Sequence, residues 1–197
     1  MKSIAQKTKP TIIGITESKL DGTIPDSEVE IDGYTIFRCD RNRNGGGVAL
    51  YIDKKVGSTI RGTFSSDTEN VFIDILLPKT KPILVGIAYN PFQPEFLDNL
   101  SSAISNAENF DNQEVYLLGD FNINLYHNQK YILYKNKVLS SQEILKNITS
   151  STDAYQVIRY QEFSSLYGLK QLIKTPTRIT TNKSSLLDHI YTNKFRR

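Results

Sequence analysis

The sequence has 197 residues, of which 39% are hydrophobic and 23% charged, and this ordinary globular composition excludes wholesale disorder. Its net charge of +3 is compatible with a polyanionic partner but does not require one. No run approaches the roughly 20 apolar residues that span a bilayer. The single cysteine, Cys39, excludes an intramolecular disulfide and fits a reduced, intracellular setting.

Short apolar runs dominate the chain and predict strands at 11–15, 34–37, 48–52, 71–77, 83–89, 115–118, 169–173 and 186–191. The apolar spacing becomes helical over 96–107, and weaker helical patterns follow at 140–148, which opens with a capping box, and at 155–167. Many antiparallel-looking strands with a few helices over them predict a layered α/β sandwich. We expect one domain over 1–197, with a polar surface insertion at about 126–153.

Polar side chains follow directly after the apolar strand predicted at 115–118, in the run Gly119-Asp120-Phe121-Asn122. Asp120 and Asn122 are two residues apart, so in extended chain their side chains point the same way. A carboxylate beside a carboxamide can hold a water, a metal or a phosphate oxygen. A turn cap is the alternative, because Asp and Asn favour such positions.

Three further residues are candidates for chemistry because each lies in or just after a predicted strand. Glu17 is placed where a hard-cation ligand often lies, although it could be a solvated loop acid. Tyr89 ends a strand and could donate to a phosphate oxygen or simply cap the core edge. Asp188 falls inside an apolar strand, which is costly unless the carboxylate is bonded or faces a polar cleft. His189 then faces the other way, as a surface or satisfied histidine.

The triplet Gly45-Gly46-Gly47 enters the strand predicted at 48–52 and permits either close backbone approach or a hairpin turn. It is not a mononucleotide loop, because no Gly-Lys-Ser/Thr is present and no helix follows. Arg41 and Arg43 precede it and could meet phosphates, with a solvated hairpin tip as the alternative.

Taken together and in order, five motifs resemble the endonuclease/exonuclease/phosphatase family. The likeness covers roughly Pro10 to Asn193, and it is closest to the endonuclease domain of non-LTR retrotransposons, through residues 168–173 and 175–178. The five motifs are Ile15-Thr16-Glu17-Ser18-Lys19-Leu20, Arg41 with Gly45 to Tyr51, Tyr89-Asn90-Pro91, Gly119-Asp120-Phe121-Asn122 and Leu187-Asp188-His189-Ile190-Tyr191.

The resemblance implies a four-layer α/β/β/α sandwich of two mostly antiparallel sheets, with the site at the top of the sheets. It implies that Glu17 binds Mg²⁺, or Mn²⁺ in its place, and that Asp120 activates the attacking water. Asn122 would steady the phosphate and Tyr89 would stabilise the transition state. Asp188 would hold the site together. A divalent cation and oriented donors are suited to phosphodiester hydrolysis, which builds charge on the non-bridging oxygens.

The resemblance also implies a DNA partner, contacted by Arg41, Arg178 and Ser185, and an intracellular, nuclear protein with no membrane and no small-molecule cofactor. The family's first strand and its last, Ser-Asp-His-bearing strand have no counterpart in this sequence. We therefore expect sheets that are incomplete at the N- and C-terminal strands, and impaired activity. Two alternatives are a non-catalytic retroelement remnant that binds nucleic acid weakly, and a phosphatase of small molecules or lipids.

Overall fold

The computed structural model describes residues 2–62, 68–105, 113–127, 130–131 and 151–194. Four helices and thirteen strands lie within these residues. In chain order they are α1 (Lys2–Thr8), β1 (Ile12–Thr16), α2 (Asp26–Val29), β2 (Tyr34–Cys39), β3 (Val48–Asp53), β4 (Gly57–Gly62), β5 (Glu69–Leu76), β6 (Ile83–Tyr89), α3 (Phe96–Ser105), β7 (Glu114–Asp120), β8 (Tyr126–His127), β9 (Lys130–Tyr131), α4 (Ser151–Leu166), β10 (Lys170–Gln171), β11 (Arg178–Ile179), β12 (Ser184–Ser185) and β13 (Asp188–Thr192).

Most of the strands form two sheets. The smaller sheet has the order β1-β3-β2 with antiparallel pairing, so that β1 lies at one edge. The larger sheet has the order β10-β13-β7-β6-β5-β4. Its pairs are antiparallel except β6 and β7, which run parallel because α3 connects them as a crossover. Two short hairpins, β8 with β9 and β11 with β12, complete the pairing among the described residues.

Three apolar cores separate four layers. Strands β3, β5 and β6 fill the space between the sheets with aliphatic side chains such as Leu50, Ile73 and Ile87. The outer face of the larger sheet packs on α3 and α4, and the outer face of the smaller sheet packs on Ala5 of α1 and on Ile31. The order is therefore helix, sheet, sheet, helix. The predicted four-layer sandwich is confirmed.

Several predicted boundaries differ from those of the structure. Strand β4 was not predicted, because its sequence Gly-Ser-Thr-Ile-Arg-Gly carries no alternating apolar face. The strand predicted at 169–173 shrinks to β10, because Leu169 N–H bonds back to Ser164 at the end of α4 and the Gln171 side chain accepts the N–H of Ile173. The helix predicted at 140–148, and most of the predicted insertion at about 126–153, lie outside the described residues.

The strand predicted at 186–191 begins two residues later than expected. Leu186 is fully buried ahead of the strand, and β13 starts at Asp188, whose side chain is exposed. The expectation that Asp188 lies inside an apolar strand is therefore wrong. Its carboxylate stands at the strand's first position, where water reduces the cost of its charge.

An open cleft of about 420 Å³ lies between the two sheets beside β1. One end of the cleft reaches Thr16 and Asp188, so it adjoins the strand ends that carry the predicted site residues. Its remaining lining is mostly apolar and includes Ile12, Ile87, Tyr116, Leu118 and Ile190.

Across the part of the chain that the structure describes, we find no helix with the length and apolar character needed to cross a membrane.

Gly119 allows β6 and β7 to approach each other next to Asp120. Its φ is +146°, and a Cβ atom there would lie 1.8 Å from the carbonyl oxygen of Ala88. We predict that Gly119→Ala lowers the free energy of unfolding by roughly 3 kcal/mol, because the clash is with backbone and no rotamer relieves it. Urea denaturation measures the change.

Gly57→Ala is the matched control for this prediction. Gly57 lies on the edge strand β4, and the nearest atom to its Cβ would be 3.4 Å away, which is an ordinary contact. We expect a change of at most about 0.5 kcal/mol there. Equal losses in the two variants would show that the close approach at Gly119 does not set the stability.

Candidate active site

Asp120 and Asp188 face each other across the antiparallel pair of β7 and β13. They are direct register partners, Asp120 as the last residue of β7 and Asp188 as the first of β13. Thr177 Oγ1 accepts the N–H groups of both Leu187 and Asp188 at 3.1 Å. Thr177 thus fixes the point at which the chain enters β13, and with it the position of Asp188.

A compact hydrogen-bond network holds Asn122 against Asp120. The Asn122 N–H donates to Asp120 Oδ1 at 2.9 Å, and Asn122 Nδ2 donates to the carbonyl of Asn90 at 2.7 Å. Asn90 donates in turn, from its N–H to the Asp120 carbonyl at 2.9 Å and from Nδ2 to the Phe121 carbonyl at 2.8 Å. The loops after β6 and β7 are therefore bonded into one unit.

Asn90 is a residue whose importance the sequence reasoning missed. It is only 2% exposed and bonds three backbone groups around the site, the carbonyls of Asp120 and Phe121 and the N–H of Gln93. The one available signal was its place between Tyr89 and Pro91 at the end of a strand. The structure shows Asn90 as a buried connector between the loops after β6 and β7.

Glu17 and Tyr89 meet although they belong to different sheets. The Tyr89 hydroxyl donates to Glu17 Oε1 at 2.5 Å. Tyr89 is 4% exposed, and its ring packs in the core between the sheets. Burial, followed by the hydrogen bond and the negative charge of Glu17, raises the pKa of Tyr89. Tyr89 therefore remains a protonated donor at neutral pH.

Asp120 lies in an unfavourable place for a negative charge. Burial raises the pKa of Asp120 to about 6, and the nearby carboxylates of Asp188 and Glu17 add to the rise. The Asn122 N–H and the positive charge of Arg178 act in the opposite direction. At neutral pH Asp120 is mainly ionised, and it is a stronger base than an ordinary aspartate.

The donor set around Glu17 fits a cation that keeps most of its water. No group of three or more His, Cys, Asp or Glu side chains within the described ranges is close enough to hold a metal as a closed cage. Mg²⁺ commonly binds through one or two carboxylates and several waters. Glu17 is exposed, and Tyr89 bonds to only one of its oxygens. The mutual repulsion of three acids also favours a bound cation at this end of the sheets.

The three residues predicted to contact nucleic acid lie in different surroundings. The Arg41 guanidinium pairs with Glu69 at 2.7 Å and stands 5.9 Å from the centre of the Tyr89 ring. Arg178 is exposed on β11, where it pairs in register with Ser185. Ser185 is only 7% exposed, so its side chain offers little surface to a ligand. Their roles in binding stay predictions.

His189 is a satisfied, buried histidine, which is one of the two roles expected from the sequence. Its Nε2 lies 3.2 Å from the Leu186 carbonyl, and Nδ1 contacts the Tyr191 hydroxyl. Burial lowers the pKa of His189 to about 4. The ring is therefore neutral at pH 7 and sits among Phe121, Tyr160 and Tyr191 as part of the aromatic core below the site.

The raised pKa of Asp120 predicts an unusual pH dependence of stability. A carboxyl whose pKa rises from 3.8 in the unfolded chain to about 6 in the folded chain loses stability as the pH rises through that window. We therefore predict that Asp120→Asn raises the free energy of unfolding near pH 7.5 in metal-free buffer by roughly 1–2 kcal/mol, allowing for solvent screening. The gain should vanish near pH 4.

Urea denaturation of both proteins across this pH range measures the effect, with Asp74→Asn as the control. Asp74 pairs with Arg61 at 2.8 Å on the same larger sheet, so its replacement should lower stability rather than raise it. If Asp120→Asn is less stable than the parent chain near pH 7.5, the ionised Asp120 carboxylate does not destabilise the folded chain and the prediction is wrong.

Comparison with known proteins places the chain in a family. The family model described as "Endonuclease/Exonuclease/phosphatase family" matches residues 1–196. No curated protein sequence matches the chain. The motif resemblance found in the sequence is thus confirmed at the level of the family.

Solved structures share the fold at low sequence identity. The endonuclease domain of TRAS1, a telomere-specific non-LTR retrotransposon, superposes with a TM-score of 0.65 and 14% identity, over 96% of this chain and 75% of that one. An AP endonuclease from Archaeoglobus fulgidus gives 0.58 and 16%, over 98% and 80%. The 3' phosphatase NExo from Neisseria, bound to product DNA hairpin, gives 0.59 and 14%, over 97% and 79%.

These structural likenesses concern the fold, whereas the family model spans nearly the whole sequence. Since that match includes every residue of the site described above, the chain belongs to the endonuclease/exonuclease/phosphatase family.

Proposed function

We propose that this chain is a divalent-metal-dependent phosphodiesterase that nicks DNA, of the kind found in retrotransposon endonucleases. The observation that carries the proposal is the convergence of Glu17, Tyr89, Asp120, Asn122 and Asp188 at one end of the two packed sheets. The motif likeness around residues 168–178 and the fold similarity to the TRAS1 endonuclease domain support the retrotransposon branch. The DNA hairpin bound by the Neisseria 3' phosphatase NExo supports DNA as the substrate class.

Asp120 is the residue suited to accept a proton from the attacking water. Its pKa of about 6 makes it ionised at neutral pH yet basic enough to take up a proton during the reaction. The Asn122 N–H bonds to Oδ1 and fixes the orientation of the carboxylate. The opposing carboxylate of Asp188 helps to keep the pKa of Asp120 raised.

Asn122, Tyr89 and Arg178 are the donors suited to the phosphate. Asn122 Nδ2 uses one hydrogen for the Asn90 carbonyl, and its second hydrogen remains for a phosphate oxygen. Tyr89 stays protonated, and its one hydroxyl hydrogen, which bonds Glu17 in this structure, would have to turn toward a non-bridging oxygen to donate to the charge that develops there. Arg178 lies close enough to Asp120 to lower its pKa, and it adds a positive charge at the edge of the site.

Glu17 is the residue that would hold Mg²⁺, or Mn²⁺ in its place. When bound, the cation supplies Lewis-acid stabilisation of the negative charge on the phosphate. Tyr89 orients Glu17 through the hydrogen bond between the sheets. We also propose the intracellular, nuclear location that the family resemblance implies.

Nicking of supercoiled plasmid tests the proposed function. We predict that the purified chain converts supercoiled plasmid to the open circle in Mg²⁺, and that Asp120→Ala slows this by at least about 100-fold, because the general base is lost. EDTA should abolish the activity. Asp74→Ala is the control, since Asp74 is also a half-buried carboxylate but pairs with Arg61 far from the site.

The outcomes separate the alternatives. Nicking that persists in Asp120→Ala would belong to a contaminant. DNA binding without nicking in either protein, in a mobility-shift assay, would replace the proposed enzyme with the non-catalytic remnant. Release of phosphate from a small phosphomonoester, with plasmid left intact, would favour a phosphatase.

A further inference from the structure

Glu69 forms a clamp on the glycine loop Gly45–Gly47, a motif to which the proposed function assigns no role. Its Oε1 pairs with Arg41 Nη1 at 2.7 Å, and its Oε2 accepts the Gly47 N–H. Arg41 Nε donates to the Gly45 carbonyl at 2.9 Å. The Glu69 side chain is only 13% exposed and the Arg41 side chain 37%, so the carboxylate end of the clamp is shielded from water while the guanidinium is partly open to it.

The clamped loop in turn holds the backbone that follows Glu17. Ser18 N–H donates to the Gly47 carbonyl at 3.1 Å, and Lys19 N–H donates to the Gly46 carbonyl at 2.9 Å. Glu17 itself has a left-handed φ of 51°, which a glutamate rarely adopts without support. The loop therefore fixes the two residues after Glu17 and maintains its unusual backbone conformation.

A second route runs from Glu69 to Glu17 through two side chains. Glu69 and Tyr89 are register partners in the antiparallel pair of β5 and β6. The ion pair with Glu69 holds the Arg41 guanidinium 5.9 Å from the centre of the Tyr89 ring, within the range of a cation–π contact. Tyr89 then donates to Glu17. Glu69 thus acts on Glu17 in two ways. It supports the backbone after Glu17 through the glycine loop, and it acts on Tyr89, the hydrogen-bond partner of Glu17, through Arg41.

The loop has space only for glycine because the clamp fills its surroundings. A Cβ atom at Gly46 would lie 2.3 Å from Arg41 Cζ and 2.6 Å from Glu69 Oε2. A Cβ atom at Gly47 would lie 2.4 Å from Ser18 Oγ. Both glycines also have left-handed φ, +74° and +81°. Gly46 and Gly47 therefore serve a close approach, whereas Gly45 closes a hairpin turn on Asn42 that leaves Arg43 exposed at its tip.

We propose that Glu69 is a positioning residue for this site: through Arg41 and the glycine loop it sets the place of Glu17 and Tyr89, and so the affinity for the divalent cation. In this role it acts through Arg41 and the glycine loop, and not through direct contact with substrate or cation. The catalytic part of this inference rests on the proposed nuclease function, whereas the positioning of Glu17 and Tyr89 does not.

The test compares Glu69→Gln with Asp74→Asn as the matched control. Gln keeps the size of Glu69 and an oxygen for the Gly47 N–H, but it loses the charge that holds Arg41. Asp74 lies on the same strand about 16 Å along, taking ~3.3 Å per residue, and its carboxylate, almost as little exposed as that of Glu69, makes an ion pair with Arg61. Both changes remove one carboxylate charge from β5, and only the first touches the clamp.

Three readouts are measured on each protein. Titration with Mn²⁺, followed by the electron paramagnetic resonance of the free ion, gives cation affinity. The NMR signal of ¹³Cζ-labelled Tyr89, assigned with Tyr89→Phe, reports on the bond to Glu17 without any metal. Plasmid nicking gives kcat and KM.

For Glu69→Gln we expect about tenfold weaker Mn²⁺ binding, a displaced Tyr89 signal, and about tenfold lower kcat with KM for DNA unchanged. Asp74→Asn should match the parent chain in all three.

The outcomes distinguish this inference from the proposed function. Parent-like Mn²⁺ affinity and an unmoved Tyr89 signal in Glu69→Gln overturn the inference even if the parent chain nicks DNA. If the parent chain neither binds Mn²⁺ nor nicks DNA but Glu69→Gln still displaces the Tyr89 signal, the positioning of Tyr89 stands and the nuclease function is rejected.

Whether each variant folds distinguishes a positioning role of Glu69 from a purely structural one. If Glu69→Gln fails to fold, Arg41→Lys breaks the same clamp from the other side, since Lys cannot bond both Glu69 and the Gly45 carbonyl in the fork geometry of Arg. Unfolding of both variants while Asp74→Asn stays folded would show that the clamp serves the fold and not the site, and would overturn the inference.

Discussion

The hydrogen bond between Tyr89 and Glu17 is the interaction on which the site depends, because it joins the two sheets at their functional end. Face-to-face sheets pack about 10 Å apart, a distance that only long side chains can close. Tyr89 projects from the end of β6 and Glu17 from the end of β1, and their combined length closes the gap. The aliphatic core between the sheets, including Leu50 and Ile87, sets the spacing that this bond requires.

The site also contains residues whose backbone conformation or charge is unfavourable in itself. Glu17 and Asn122 both have left-handed φ values of 51°, and each such residue costs on the order of 1–3 kcal/mol. Asp120 carries a raised pKa because burial and two neighbouring acids oppose its charge. Arg178 offsets only part of that repulsion. The rest of the fold stabilises these features, as is expected where a protein is arranged to bind charge that is not its own.

Much of the fold could be predicted from the sequence because its signals are local. The alternation in 71–77 marked β5, and the helical spacing after Phe96 marked α3. The two-residue spacing of Asp120 and Asn122, at the end of an apolar run, was enough to locate the site. Strand β4 was not predicted, because it pairs through backbone hydrogen bonds and its sequence has no alternating apolar pattern.

The parts that could not be predicted depend on contacts between distant segments. Glu69 was not among the predicted site residues, because its partners Arg41 and Gly47 lie 28 and 22 residues away in sequence. Asn90 was hidden in the same way, since its bond to Phe121 crosses 31 residues. The exposure of Asp188 followed from Thr177, which fixes where β13 begins.

The structure places Arg41 and Arg178 in different surroundings, although the family resemblance implied the same DNA-contacting role for both. Arg41 already uses Nε and Nη1 for the Gly45 carbonyl and Glu69, and its guanidinium stands over Tyr89. Turning it toward a phosphate would break the bonds that hold the glycine loop. Arg178 makes no ion pair with any residue that the structure describes, is exposed on β11, and lies within electrostatic range of Asp120. Under the proposed function, contact with the phosphate therefore suits Arg178 better, and Arg41 suits the positioning role inferred above.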